Sequence, residues 1–256
     1  MPEPDAARLD GLTVLVARPA AQAETLCRLI EAAGGAVIRL PMQAIAAVPD
    51  AAAAAAELAA HRDAARWLFT STNAVEHAAA LCPPPWPALG AVGSVTAAAL
   101  TRLTGAPAIV PPAGDGAAAL LAHPALAEVA GQRLLIVTGE DTLPILEDGL
   151  RARGARVRVL PVYRRVGVRH SPDAVAAALA AADIALVPSG EALRRLVEST
   201  PPEARPRLLR LPLAVPSSRV VETARALGFV HEPLLPVRVH DAAWLDTLWR
   251  HARHRP

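Results

Sequence analysis

The sequence predicts an α/β fold: parallel sheets in two homologous halves of one 256-residue chain. Three observations carry that prediction. Short apolar runs of strand length alternate with longer segments whose apolar residues recur at helical spacing. Three sequence blocks occur twice, in the same order, as homologous halves require. The alternation itself favours parallel strands, right-handed crossovers and helices on both faces of each sheet, which makes each half doubly wound.

The first block, "GLTVLVARPAAQAETLCRLIEAAGGAVIRLP" (11–41), reads as strand, loop, amphipathic helix, a stop at Gly34 and a second strand ending at Pro41. The alanine-rich "DAAAAAAELAAH" (50–61) favours a helix. "WLFTSTNAV" (67–75) runs an apolar strand into small hydroxyl and amide residues, where a helix opens. "LGAVGSVTAAALTRLTGAPAIV" (89–110) passes from a strand through a Ser-containing turn into a helix that stops at Gly105. The blocks then return. "GQRLLIVTGEDTLPILEDGLRARGARVRVLP" (131–161) places Gly154 and Pro161 where Gly34 and Pro41 stood. "IALVPSGEAL" (184–193) aligns Ser189 with Ser71, and "LPLAVPSSRVVETARALGFVHE" (211–232) stops its helix at Gly228. The tail "WLDTLWRHARHRP" reads as a closing amphipathic helix with a solvated basic end, in which His251 and His254 are not ligands. On the repeat alone, one cut near residue 120 would separate the halves.

Composition narrows the function. At 53% hydrophobic residues the chain is well packed rather than disordered, and a net charge of +2 leaves no nucleic-acid footprint. All 26 basic residues are arginine, so lysine Schiff bases, pyridoxal phosphate attachment and a P-loop lysine are excluded. Arginine suits planar carboxylate or phosphate partners instead. No G-x-G-x-x-G follows a predicted strand, and the eight histidines show no metal-ligand spacing, so neither nucleotide nor metal is expected as a cofactor. Cys27 and Cys82 lack metal or redox spacing and read as buried reduced thiols. The N-terminus has no secretion-signal pattern and no apolar run suits a membrane span, so a cytoplasmic protein without a membrane partner is expected.

In parallel α/β sheets, ligands sit beyond the carboxyl ends of the strands. Those ends carry Ala17-Arg18-Pro19, Thr70-Ser71-Thr72-Asn73, Gly93-Ser94-Val95-Thr96, Thr138-Gly139-Glu140, Pro188-Ser189-Gly190 and Ser217-Ser218-Arg219. Helix N-termini there present unpaired N–H groups and a partial positive charge, and with hydroxyls added they suit anionic oxygens. Any single Ser, Thr or Asn among them can equally be a plain N-cap. The ligand signal lies in the set of six.

The segments "LVARPAAQAETLCRLIEAAGGAVIRLPMQAI", "WLFTSTNAV", "AVGSVTAAAL", "LRARGARVRVLPVYRR" and "VPSSRVVETARALGF" resemble, in order and spacing, the successive motifs of the uroporphyrinogen-III synthase family. The resemblance runs from about residue 12 to residue 230. It implies a cofactor-independent, monomeric enzyme of haem biosynthesis acting on hydroxymethylbilane, a linear tetrapyrrole with eight carboxylate side chains. The family removes a hydroxyl from one end, inverts ring D and closes the macrocycle. It also implies two domains flanking a cleft: residues 1–39 with 169–256, and an inserted 49–159, joined by a two-stranded linker at 40–48 and 160–168.

Under that resemblance Tyr163, the only tyrosine, falls at the family's tyrosine position and would assist departure of the hydroxyl; a buried structural tyrosine is the alternative. The substrate-binding set is Arg18, Thr70, Ser71, Asn73, Gly93, Ser94, Thr96, Gly139, Ser189, Gly190, Ser218 and Arg219. For the two arginines, a solvated or helix-terminal role is the alternative. The chain departs from the family pattern at "VTGEDTLPIL", where Thr138 and Leu143 stand at positions expected to be basic, and at Pro188, where a Thr is expected. Two other readings stay open: a hinge-closing binding protein without chemistry, and a degenerate synthase that has lost turnover.

Overall fold

Strand and helix alternate along the computed structural model of the chain, which describes Leu9 and residues 11–253. Residues 1–8, Asp10 and 254–256, and with them the ends of the first expected domain and His254, lie outside the described residues. The chain begins with β1 (Thr13–Val16), α1 (Ala20–Ala32), β2 (Ala36–Arg39), β3 (Gln43–Ala47) and α2 (Ala51–Ala60). It continues through β4 (Arg66–Phe69), α3 (Thr72–Leu81), β5 (Ala88–Ala91), α4 (Ser94–Thr104), β6 (Ala108–Ile109) and α5 (Ala117–Leu121). Next come β7 (Arg133–Gly139), α6 (Ile145–Ala152), β8 (Arg156–Gly167), α7 (Pro172–Ala181), β9 (Ile184–Leu186) and α8 (Gly190–Ser199). The last elements are α9 (Arg205–Leu209), β10 (Leu213–Ala214), α10 (Ser218–Ala226) and α11 (Asp241–Arg253).

Two sheets form, with strand orders β10-β9-β1-β2 and β3-β8-β7-β4-β5-β6. Their pairings β1–β2, β1–β9, β9–β10, β4–β5, β4–β7, β5–β6 and β7–β8 are all parallel. The sequence repeat is visible in these orders. Read as β2-β1-β9-β10 and β8-β7-β4-β5, the sheets match strand for strand, and each takes one copy of every repeated block. The chain packs as two compact units, one from residues up to Ala44 together with Val166 onward, the other from Ile45 to Arg165. Chain passage between them occurs inside β3 and β8. The segment expected as a second linker, 160–168, is largely the outer half of β8, a strand that starts at Arg156 as a full member of its sheet.

Both faces of each sheet are covered, because alternate residues feed different cores. In the 45–165 unit, Trp67, Phe69, Leu135 and Val137 enter one core, while Leu68, Leu134 and Ile136 enter the other. In the other unit, Leu15, Ala185 and Leu213 point one way and Val14, Val16, Ile184 and Leu186 the opposite way. Each large aliphatic side chain so buried contributes about 1.5–3 kcal/mol. Helix ends follow the sequence signals. Ser71, Ser171 and Ser189 cap α3, α7 and α8 by accepting an N–H three residues on. Gly105, at φ 71°, closes α4 in the left-handed region that a side chain would strain. Cys27 and Cys82 are buried and unpaired with each other, and burial pushes the Cys27 thiol pKa up, which favours its protonated form. No helix among the described residues is long and apolar enough to cross a membrane.

Candidate functional site

In the 45–165 unit, β8, β7, β4 and β5 lie side by side, so their carboxyl ends form one edge. The β4–α3 turn brings Thr70 and Ser71 to that edge, and β7 ends beside them at Thr138 and Gly139. Tyr163 arrives from β8 by way of an irregularity. Thr138 is in register with Pro161 but Gly139 with Tyr163, so Val162 is an extra residue on β8. Such a bulge re-aims the side chain that follows it. The Tyr163 hydroxyl lies 3.2 Å from Ser71 Oγ. Since β7 separates β8 from β4, the ring has to cross the end of β7 to get there. It does so over Gly139, where an added Cβ would fall 2.6 Å from Tyr163 Cζ. Only a residue without a side chain leaves that passage open.

Around Tyr163 the groups are polar but mostly uncharged. Ser71 Oγ also accepts the Ala74 N–H at 3.1 Å. Thr70 Oγ1 is 2.7 Å from Thr138 Oγ1, which in turn contacts the Thr142 hydroxyl, and Thr142 donates to Gly139 O at 3.0 Å. Thr138 is fully buried, and its hydroxyl is held within this chain of hydroxyls. His77, on α3, sets its ring centroid 5.7 Å from that of Tyr163, and the Arg165 guanidinium carbon lies 5.8 Å from the tyrosine ring centroid.

The remaining predicted residues are distributed unevenly. Asn73 is half-buried in the first turn of α3. Gly93 is the N-cap of α4, and Ser94 is exposed at its first position. Thr96 departs from the expectation of an accessible hydroxyl: it is 6% exposed, because it shares the inward stripe of α4 with Ala99 and Leu100. The Asp115 carboxylate packs against Gly93, with Oδ1 2.6 Å from where a Cβ would stand. An acid of the chain itself thus already sits at the positive end of α4.

In the other unit, Arg18 does not present a free cation. Its Nη1 donates to Asp241 Oδ1 at 2.7 Å, joining the β1–α1 turn to the start of α11. Ser189 caps α8. Gly190 is explained by helix packing, since a Cβ there would approach Thr223 Oγ1 of α10 to 3.2 Å. Ser218 and Arg219 are exposed in the first turn of α10.

Sequence reasoning missed three residues here: Asp115, His77 and Arg165. Arg165 carried a usable signal, because two residues along a strand share a face and Tyr163 was already singled out. His77 needed the helix phase relative to β8, and Asp115 lies in a loop without a pattern.

If Tyr163 is placed by this passage, Gly139→Ala should force the ring off the strand end and destabilise the chain by about 1–3 kcal/mol, which urea unfolding of the variant against the wild type checks.

Two parallel α/β units with hydroxyl-bearing turns at their strand ends place the chain in the doubly wound α/β class, in which ligands sit beyond the carboxyl ends of the strands. Comparison with known proteins gives the family. The family model described as "HEM4: Uroporphyrinogen-III synthase HemD" matches residues 24–233. The uroporphyrinogen-III synthase of Salmonella typhimurium is 30% identical over 248 residues, covering 93% of this chain and 99% of that protein. That of Escherichia coli is 29% identical over the same coverage. The chain belongs to the uroporphyrinogen-III synthase family, a family of enzymes. Among solved structures, a mutant uroporphyrinogen III synthase from Thermus thermophilus superposes with a TM-score of 0.62 at 22% identity, covering 96% of this chain and 100% of that one. The Helicobacter pylori uroporphyrinogen-III synthetase does so at 0.59 and 12% identity, covering 92% and 97%. At these identities the structures speak to the fold.

Proposed function

We propose that this chain closes hydroxymethylbilane to uroporphyrinogen III, with loss of water and inversion of ring D, as a cofactor-independent cytoplasmic monomer. One observation carries the chemical assignment: the chain's single tyrosine is re-aimed by a bulge and reaches Ser71 across a glycine. Ser71 Oγ accepts the Ala74 N–H and can give its own proton to the phenol oxygen. The phenolic proton is then free for the departing hydroxyl, directly or through one water. The C–O bond breaks, water leaves with that proton, and the pyrrole that lost it becomes a reactive azafulvene. Ring closure onto that carbon releases a proton, which restores the phenol. The protein's larger task is to hold the ring-D end over the reacting carbon, because the free intermediate can also close without inversion.

Carboxylate binding is assigned to the side chains of Asn73, Ser94, Ser189, Ser218 and Arg219, and to the helix N-terminal N–H groups beside Thr70 and Ser71, whose own hydroxyls are already hydrogen-bonded. Family membership supports the reading, and so do the two compact units, proposed as domains linked through β3 and β8. The test is incubation of the purified protein with hydroxymethylbilane generated in situ and separation of the isomers. The expected product is type III; only type I, at the uncatalysed rate, would overturn the reading.

A further inference from the structure

We infer that Arg165 anchors a substrate carboxylate beside the departing hydroxyl, an assignment that rests on the proposed synthase reading. Arg102 lies in the last turn of α4, at the end away from the strand carboxyl ends, and most other arginines of the 45–165 unit are engaged. Arg133 and Arg158 pair with Asp63 and Glu57, and Arg151 pairs with Glu147. Arg62, Arg66 and Arg153 donate to backbone carbonyls. Arg133 and Arg156 open β7 and β8, at the sheet edge opposite Tyr163. Past the register position Gly139–Tyr163, where β7 ends, β8 continues with Arg164 and Arg165.

Strand alternation separates those two. Arg165 is two residues beyond Tyr163 and on its face, a placement confirmed by the 5.8 Å approach of its guanidinium carbon to the ring. Arg165 is exposed and makes no ion pair among the described residues. A cation lying near the tyrosine ring has its orientation restrained without having its charge neutralised. Its planar fork remains available for a bidentate carboxylate.

The spacing suits the substrate. On each pyrrole of the bilane, two carboxylate-bearing side chains sit on the ring that carries the reactive positions. A hydroxyl placed at Tyr163 therefore has a carboxylate of the same pyrrole within a few ångströms. Gripping that carboxylate would hold the hydroxyl-bearing pyrrole at the phenol. Arg165 would thus position the reacting pyrrole as well as add affinity.

Arg165→Gln and Arg165→Lys, each with the wild type, test this. The readouts are KM and kcat for hydroxymethylbilane, the ratio of type III to type I product, and calorimetric affinity for uroporphyrin III, a non-reacting octacarboxylate. Arg165→Gln should raise KM about tenfold, with a smaller loss in kcat, weaken uroporphyrin binding by a similar factor and increase the share of type I. Arg165→Lys should recover part of the affinity, since charge returns without the fork. Unchanged KM and unchanged uroporphyrin affinity in Arg165→Gln would overturn the assignment while wild-type type III production kept the synthase reading intact. Conversely, a wild type that makes no type III isomer yet binds uroporphyrin through Arg165 would remove the synthase reading and leave the anchor.

Discussion

Replacing Tyr163 by Phe should lower kcat by about a hundredfold, at the low end of what a positioned proton donor contributes. The change removes one oxygen and keeps the ring that fills the passage over Gly139 and packs near His77 and Arg165. KM should move by no more than a few fold, because the phenol is assigned to departure of the hydroxyl and not to holding carboxylates. The residue is 3% exposed, so a fold defect has to be separated from a chemical one. Thermal unfolding does this: the variant loses one hydrogen bond to Ser71, worth about 0.5–1.5 kcal/mol, and should unfold only slightly earlier. An unchanged kcat would assign Tyr163 to the core.

Trp67→Ala should be the most damaging single change to stability, at about 3–5 kcal/mol. Trp67 is fully buried in β4, the strand between β5 and β7. Its ring lies 6.3 Å from Phe69 and 5.4 Å from Trp86, and its Nε1–H donates to His61 O at 2.9 Å. Truncation therefore opens a cavity at the centre of the aromatic cluster and frees a carbonyl acceptor. Trp86→Ala, at a half-buried position of the same cluster, should cost markedly less. Urea unfolding followed by tryptophan fluorescence checks both, since each variant keeps the other cluster tryptophan as the reporter for the 45–165 unit. A Trp67→Ala midpoint equal to that of Trp86→Ala would contradict the central placement.

How far the sequence could be read depended on the range of the interaction. Strand-to-helix alternation is local, and so the α/β class was legible from apolar runs, Ser caps and glycine stops. The repeat showed which segments were equivalent, but not which copies share a sheet. That depends on β1 pairing with β9 and β7 with β4, and distant partners leave no mark on a single sequence. At the candidate site, Tyr163 stood out by being unique, and Ser71 and Ser189 by opening helices. The role of Gly139 was hidden because it depends on a ring contributed from 24 positions later, across a bulge that periodicity cannot locate. Arg18 misled for a similar reason: Asp241, which neutralises it, is 223 residues away.

The interleaved chain path has a consequence for biosynthesis. Residues 45–165 form an uninterrupted stretch that can complete its packing while the ribosome is still at work. The N-terminal β1–α1–β2 piece cannot. Its central strand needs β9 on the free side, and the Thr13 N–H finds its acceptor in Asp183, 170 residues later. Until that partner emerges, the nascent piece carries an open strand edge and the apolar face of Leu26 and Ile30 in an unfinished state, which is the kind of surface that recruits holding chaperones. The first element made is thus among the last to be secured, and truncated translation products ending before β9 should be far more prone to aggregate than the middle unit alone.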